Sequence, residues 1–442
     1  MVWKLPLHES GHPDNELTSD TDGAVIRRTV LPGGVRVVSE QLPGQRSASI
    51  GAWVNVGSRD EQSGHFGSTH FLEHLLFKGT SRRSALDIAE AFDAVGGEAN
   101  AVTGKENTCY YARVLDSDLP MAVDVITDMV TSATLDPDEL ETERGVILEE
   151  LAMNDDDPGD VVHEQFSATV LAGHDLGRPI GGTPQTINAV PRSAVWEHYQ
   201  QHYQPETLVF TAAGNIDHDV LCADITHALK LGGWELNDGA VPRARRDTTA
   251  IEGLGLESRE LTIHRSVEQA NVIVGSTGIT ATDERRFQLS VLTAILGGGM
   301  SSRMFQEIRE RRGLAYSTYC FGSSHVGTGT FGLYAGCAPA RVDQVTELMI
   351  NELMKLADGG ITSGELERTI GQLSGSLVLG LEDSGSRMNR LGRAELVTGE
   401  LLSVDESLAR IREVTAEQVQ VLAQDLAARP RSVVRVGPFG QE

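Results

Sequence analysis

The chain is short of cysteine, of aromatic side chains and of positive charge, and each shortage removes a class of protein. Four cysteines in 442 residues, Cys109, Cys222, Cys320 and Cys337, form no C-x-x-C pair and no dense framework. A disulfide scaffold and a cysteine metal site are therefore not expected, and reduced, buried thiols point to a cytoplasmic protein. The 37 Lys and Arg stand against 63 Asp and Glu, a formal net charge of -26. Phosphate recognition needs clustered bases, so no nucleic-acid partner is expected, whereas basic peptides would be attracted. No stretch of 18 apolar residues occurs, and the first residues carry one base and too short an apolar run for a signal peptide, so neither membrane insertion nor export is expected. Residues 1–25, polar and rich in Asp, Gly and Ser, read as a loosely ordered arm. With 40% hydrophobic content and 5% aromatics, the rest is ordinary globular material, long enough for two to four domains.

What is present is His70-Phe-Leu-Glu73-His74. On a helix, residues four apart stand one above the other, so His70 and His74 can offer nitrogen to one metal ion with Glu73 beside them. The spacing reverses the commoner H-E-x-x-H and is that of the inverzincins. A random chain of this composition shows it about 3 times in 100, so a third ligand is needed before the motif means anything.

The best donor lies in Asp136 to Asn154, which reads as one helix: Asp136 at the N-cap, Pro137 in the first turn, and acidic residues where the macrodipole favours them. Glu143 and Glu150, seven apart, share a face, and Glu149 points about 100° away. One reading makes Glu150 a metal ligand with Glu143 supporting a histidine; the other makes the whole segment a solvated acidic face.

The chain is internally duplicated. An amphipathic helix at Met121–Val130 leads to Asp138-Glu-Leu-Glu141, and a second at Val342–Leu353 leads to Gly364-Glu-Leu-Glu367. Setting Glu139 on Glu365 places Glu143 on Thr369 and Glu150 on Ser376, and Phe287–Leu296 carries no histidines, so only the first half carries the candidate ligands. Strand-like runs at 49–56, 207–213, 270–276 and 432–436 alternate with helices. Each half is thus α+β, helices on a largely antiparallel sheet, with a first half at 26–235, a linker at 236–255 and a second half at 256–442.

The run Gly67-Ser-Thr-His70-Phe-Leu-Glu73-His74-Leu-Leu-Phe-Lys-Gly-Thr80, followed by Glu143-Arg-Gly-Val-Ile-Leu-Glu-Glu150, resembles the pitrilysin family of zinc metallopeptidases, and within it the branch of mitochondrial processing peptidase and bacterial processing-protease homologues. The likeness continues through Gly96–Thr103, Gly173–Thr183 and Ile308–Ser317. It implies one Zn2+ per chain on His70, His74 and Glu150, Glu73 as general base on the zinc-bound water, and Glu143 as the acid behind a histidine. It also implies two halves facing each other as a clam shell around a chamber. A peptide pairs there as an added strand beside Asn100 and Ala101, and Arg309 and Tyr316 of the inactive half hold it; without the resemblance those two are a charge run and a core residue. The implied function is a zinc endopeptidase for extended or presequence-like peptides, basic or unfolded, acting as a homodimer because one chain carries both sets. The alternative is a non-catalytic scaffold or partner subunit, as in respiratory-complex core proteins, which the intact metal set disfavours.

Three features invite function and are set aside. His198 and His202 lack a carboxylate between them, Gly297–Gly299 lacks the Lys-Ser/Thr ending of a phosphate loop, and Asp155–Asp157 lacks the spaced oxygens of a calcium loop.

Overall fold

Strands buried along their whole length need cover on both faces, and two strands set that requirement here: Leu208–Gly214 and Thr328–Cys337 contain no exposed residue. The computed structural model describes residues 1–21 and 23–439. In chain order the strands are β1 (Val2–Lys4), β2 (Leu17–Thr21), β3 (Ala24–Val30), β4 (Arg36–Gln41), β5 (Ser47–Val54), β6 (Glu98–Thr103) and β7 (Thr108–Leu115). They continue with β8 (Leu208–Gly214), β9 (Glu260–His264), β10 (Ala270–Thr277), β11 (Ala315–His325), β12 (Thr328–Cys337), β13 (Glu400–Leu402) and β14 (Ser432–Gly437).

A seven-stranded sheet runs β2-β3-β4-β8-β5-β7-β6 and a five-stranded sheet runs β11-β12-β10-β14-β9. Within them β4-β8-β5-β7-β6 and β9-β14-β10-β12-β11 repeat one topology: a parallel pair first, β4 with β8 and β9 with β14, then antiparallel neighbours. The α+β class, the antiparallel bias and the duplication expected from sequence are all present.

The domain boundaries are different from those expected. The chain forms two compact units, Met1–Leu151 with Ile180–Arg245 and Leu379–Ser403, and Ala152–Pro179 with Arg246–Val378 and Val404–Glu442. The helix Pro158–Val170 packs Val162, Phe166 and Val170 with Ile273, Val434 and Val436 of the five-stranded sheet. Correspondingly, the helix Ser384–Arg393 sets Met388 against Trp53, Cys109 and Val209 of the seven-stranded sheet. The register that places Glu139 on Glu365 also places Pro158 on Ser384, the first residue of each of these helices. Each sheet therefore takes its second cover from the other half of the sequence. A single cut at 236–255 cannot capture an exchange of equivalent segments.

Residues 1–21 are also not a loose arm. β1 pairs with β13, Leu5 and Asn15 are buried, and two guanidiniums, buried Arg28 and half-buried Arg245, hold the intervening chain: Arg28 donates to the carbonyls of Asn15 and Pro6, and Arg245 to that of Leu5, all at 2.8 Å. The anchors are arginines beyond the arm, Arg28 just past it and Arg245 far along the chain, which polarity within the first 25 residues cannot reveal.

Those arginines surround one carboxylate. Glu395, fully buried, accepts from Arg28 at 2.8 and 3.0 Å and from Arg245 at 3.0 Å, with Arg36 at 3.5 Å. Burial opposes its ionisation, but the three guanidiniums outweigh burial and hold its carboxyl below the usual range. Glu395→Gln should lower the unfolding free energy by about 3–5 kcal/mol, because it strands buried positive charge without its counter-ion. Chemical denaturation measures this, and a loss under about 1 kcal/mol would show that the cluster is not the anchor.

Candidate active site

Gly67 opens the helix Ser68–Leu76 at φ 95°, and a Cβ there would lie 2.4 Å from Ile187 Cδ1, so only glycine fits. Glu61, nearly buried, caps this helix from outside it: its carboxylate accepts the N–H groups of Gly67 and Thr69, each at 2.8 Å, which the first turn leaves without intrahelical partners. Phe71, Leu72, Leu75 and Leu76 enter the core of the first unit. With that face committed, His70, Glu73 and His74 are presented toward the helix Pro137–Asp156 and the strand β6.

Three atoms able to hold a metal ion converge there. His70 Nε2 and His74 Nε2 are 3.3 Å apart, and Glu150 Oε2 lies 3.5 Å from each. Three donors bound to one tetrahedral zinc at its usual bond lengths would stand about 3.3 Å apart, so this near-equilateral triangle fits the ion. Protonation also fits. Glu143, 2% exposed, accepts from His74 Nδ1 at 2.8 Å, which puts that proton on Nδ1 and leaves the lone pair on Nε2 within the triangle. Burial opposes the Glu143 charge, but Lys78 Nζ at 2.7 Å and His74 outweigh it and hold the carboxyl below its usual range. For His70, burial pushes the pKa down against the pull of Glu150, favouring the neutral ring that a metal requires.

Glu73 is half-buried beside the triangle and accepts a hydrogen bond on Oε2 from Thr103 Oγ1 of β6. Beneath it Tyr110 and Tyr203 share a hydroxyl–hydroxyl contact of 2.9 Å. Burial, with the Glu73 charge as a smaller contribution, pushes both phenols up, so they stay neutral.

Lys78, Thr103 and Glu61 were not singled out in the sequence. Lys78 was recoverable, since it sits one turn beyond His74. Thr103 and Glu61 reach the motif from a strand and a loop, where spacing carries no signal.

Asn100 and Ala101 lie on β6, which ends the seven-stranded sheet. Asn100 is exposed, and its own Oδ1 accepts the Ala101 N–H at 2.8 Å, so this edge amide is covered by a movable side chain rather than a strand. Arg309 and Tyr316 belong to the second unit and meet each other: the guanidinium lies 4.5 Å over the ring and donates to the Tyr316 carbonyl at 3.0 Å. Tyr316 is 76% exposed, a surface residue and not part of the core. His198 is buried, 3.1 Å from Thr69 Oγ1, and burial pushes its pKa down to about 3, so it packs as a neutral ring behind the motif helix. A second cluster that could hold a metal, the exposed or half-exposed His8, His12 and Asp14, has His12 Nδ1 accepting the Asp14 N–H at 3.2 Å. No helix among the described residues is long and apolar enough to cross a membrane.

The chain is similar to known proteins in sequence and in fold. Residues 36–184 match the model described as insulinase (peptidase family M16), and residues 189–373 match peptidase M16 inactive domain. An uncharacterized zinc protease of Streptomyces coelicolor is 51% identical over 94% of this chain and 90% of its own length. One from Mycobacterium tuberculosis is 46% identical over 94% of each, and one from Bacillus subtilis is 39% identical over 94% of this chain and 99% of its own. Among solved structures, the peptidase M16 inactive domain from Pseudomonas fluorescens has a TM-score of 0.83 at 17% identity, covering 94% of this chain and 99% of that one. A protease from Helicobacter pylori also scores 0.83, at 21% identity over 92% and 98%; at such identities these two speak for the fold alone. The chain belongs to peptidase family M16, the pitrilysin and insulinase family.

Proposed function

We propose that this protein is a zinc-dependent endopeptidase that cuts extended peptides, with His70, His74 and Glu150 as ligands and Glu73 as general base. The observation that carries the reading is the triangle of ligand atoms with an independently held carboxylate at its side. When bound, zinc would polarise the scissile carbonyl and acidify water. Glu73 receives the proton of the attacking water on its unpinned oxygen and returns it to the leaving amine. Glu143, neutralised by Lys78, keeps the His74 proton on Nδ1. The peptide pairs along β6, displacing the Asn100 side chain from the Ala101 N–H, which reads backbone rather than sequence. The family resemblance supports Arg309 and Tyr316 of the inactive half as the residues that steady the peptide and the developing oxyanion. The same chain carries both sets, which supports a homodimer without an inactive partner.

The test is a mixed peptide library with and without a chelator, in which cleavage should occur, stop on chelation and return with zinc. The net charge of -26 adds a selectivity: peptides bearing Lys or Arg should be cut faster than acidic ones of equal length. That preference should fade with salt, since screening sets in beyond about 8 Å at physiological ionic strength. Stably folded domains should resist, because their chains cannot extend along β6. Cleavage of a folded domain at peptide-like rates would contradict docking along β6, and equal rates for acidic peptides would remove the electrostatic part.

A further inference from the structure

We propose that Thr103 is a positioning residue for Glu73, tying the general base to the strand on which the substrate docks; this rests on the proposed peptidase reading. A glutamate has three rotatable bonds, and a base must hold one oxygen where the water will be. In this site Oε2 accepts the Thr103 hydroxyl proton, and no hydrogen-bond donor meets Oε1 among the described residues. An ionised carboxylate only accepts, so the hydroxyl must donate. One oxygen is therefore pinned and the other keeps its lone pairs for the proton.

The pin is itself well fixed. Thr103 is 8% exposed, and along β6 the exposed residues Glu98, Asn100 and Val102 alternate with more buried ones, so Thr103 shares the inward face with Ala101. It pairs with Thr108 of β7, which is fully buried, and Thr108 Oγ1 donates to the Val56 carbonyl at 3.0 Å. The hydroxyl that holds the base thus stands on a strand with one edge locked into the sheet and the other edge open to an added strand. Two residues before it lies the Ala101 amide that Asn100 covers. A peptide docked along this edge and the base that activates its attacking water thus both contact β6, which limits how far one can shift relative to the other.

The experiment compares Thr103→Val, which preserves shape and removes the donor, with Thr103→Ser, which keeps it, and uses Glu73→Gln as reference. Thr103→Val should lower kcat by about 10- to 100-fold, the range for losing a hydrogen bond to a charged group. KM for the same peptide should stay within about twofold, and zinc affinity by chelator competition and the melting temperature should be unchanged, while Thr103→Ser restores most of kcat. Wild-type kcat in Thr103→Val beside an inactive Glu73→Gln overturns the inference and leaves the peptidase reading standing. Full activity in Glu73→Gln removes the reading itself. A Thr103→Ser enzyme as slow as the valine variant assigns the loss to packing, and a raised KM with unchanged kcat assigns Thr103 to substrate binding; either result rejects the positioning role. Should the valine variant fold poorly, Thr103→Ala with the same serine comparison decides the matter.

Discussion

Glu73→Gln should keep its zinc and lose about 10²- to 10⁴-fold in kcat, the usual worth of a general base. Glutamine preserves the shape of the side chain and can still accept from Thr103 through its amide oxygen, so the local packing survives. It cannot take a proton. The three ligand atoms, His70 Nε2, His74 Nε2 and Glu150 Oε2, form their triangle without Glu73, so metal content should remain near one equivalent. Two measurements separate the possibilities: zinc per chain and single-turnover rate. Loss of zinc in parallel with activity would make Glu73 a ligand and reverse its role. Retained zinc with an unchanged rate would leave proton transfer to some other group.

The convergence of the two helical pairs was legible in the sequence because helices convert spacing into geometry, while the choice of Glu150 as a ligand came from the family resemblance. His70 and His74, four apart, and Glu143 and Glu150, seven apart, each lie on one helical face whatever the tertiary fold, and both pairs meet as that periodicity requires. The strands at 49–56, 207–213, 270–276 and 432–436 were legible for a similar reason, as short apolar runs bounded by turn residues. The residues that finish the site were not. Thr103 and Glu61 act through contacts between segments 30 and 6 to 8 positions apart whose spacing follows no helical or strand repeat. The exchanged helices escaped for a topological reason. Amphipathic pattern shows that Pro158–Val170 and Ser384–Arg393 must be buried on one side, but two homologous sheets offer equivalent faces, and local sequence does not say which sheet each helix covers. The anchoring of residues 1–21 depends on Arg28, Arg245 and Glu395, charged residues that composition assigns to the surface. Only the fold shows that the guanidiniums share this one buried carboxylate.

The metal content of the purified protein should be close to one zinc per chain, and ligand replacements should reduce it in an order set by distance from the ion. His70→Ala removes a donor outright and leaves two, too few for a catalytic zinc, so bound metal should fall well below half an equivalent at chelator concentrations that spare the native protein. Glu150→Gln exchanges an anionic oxygen for a neutral amide and should behave similarly. Glu143→Gln leaves all three donors in place but weakens the acceptor behind His74 Nδ1, and should cost only about 10- to 100-fold in affinity. The second half of the chain contributes no further equivalent, because Thr369 and Ser376 stand at the positions of Glu143 and Glu150 in the duplicated register. The exposed or half-exposed His8, His12 and Asp14 cluster should also contribute none: His12 Nδ1 accepts the Asp14 N–H, which places the ring proton on Nε2 and leaves neither nitrogen of His12 free to bind an ion. Equilibrium dialysis followed by elemental analysis reads all of these values together. Two equivalents in the native protein that fall to one in His12→Ala would place a second ion at the N-terminal cluster. One equivalent that survives both His70→Ala and Glu150→Gln would show that zinc is held elsewhere, and the assignment of the triangle would fall with it.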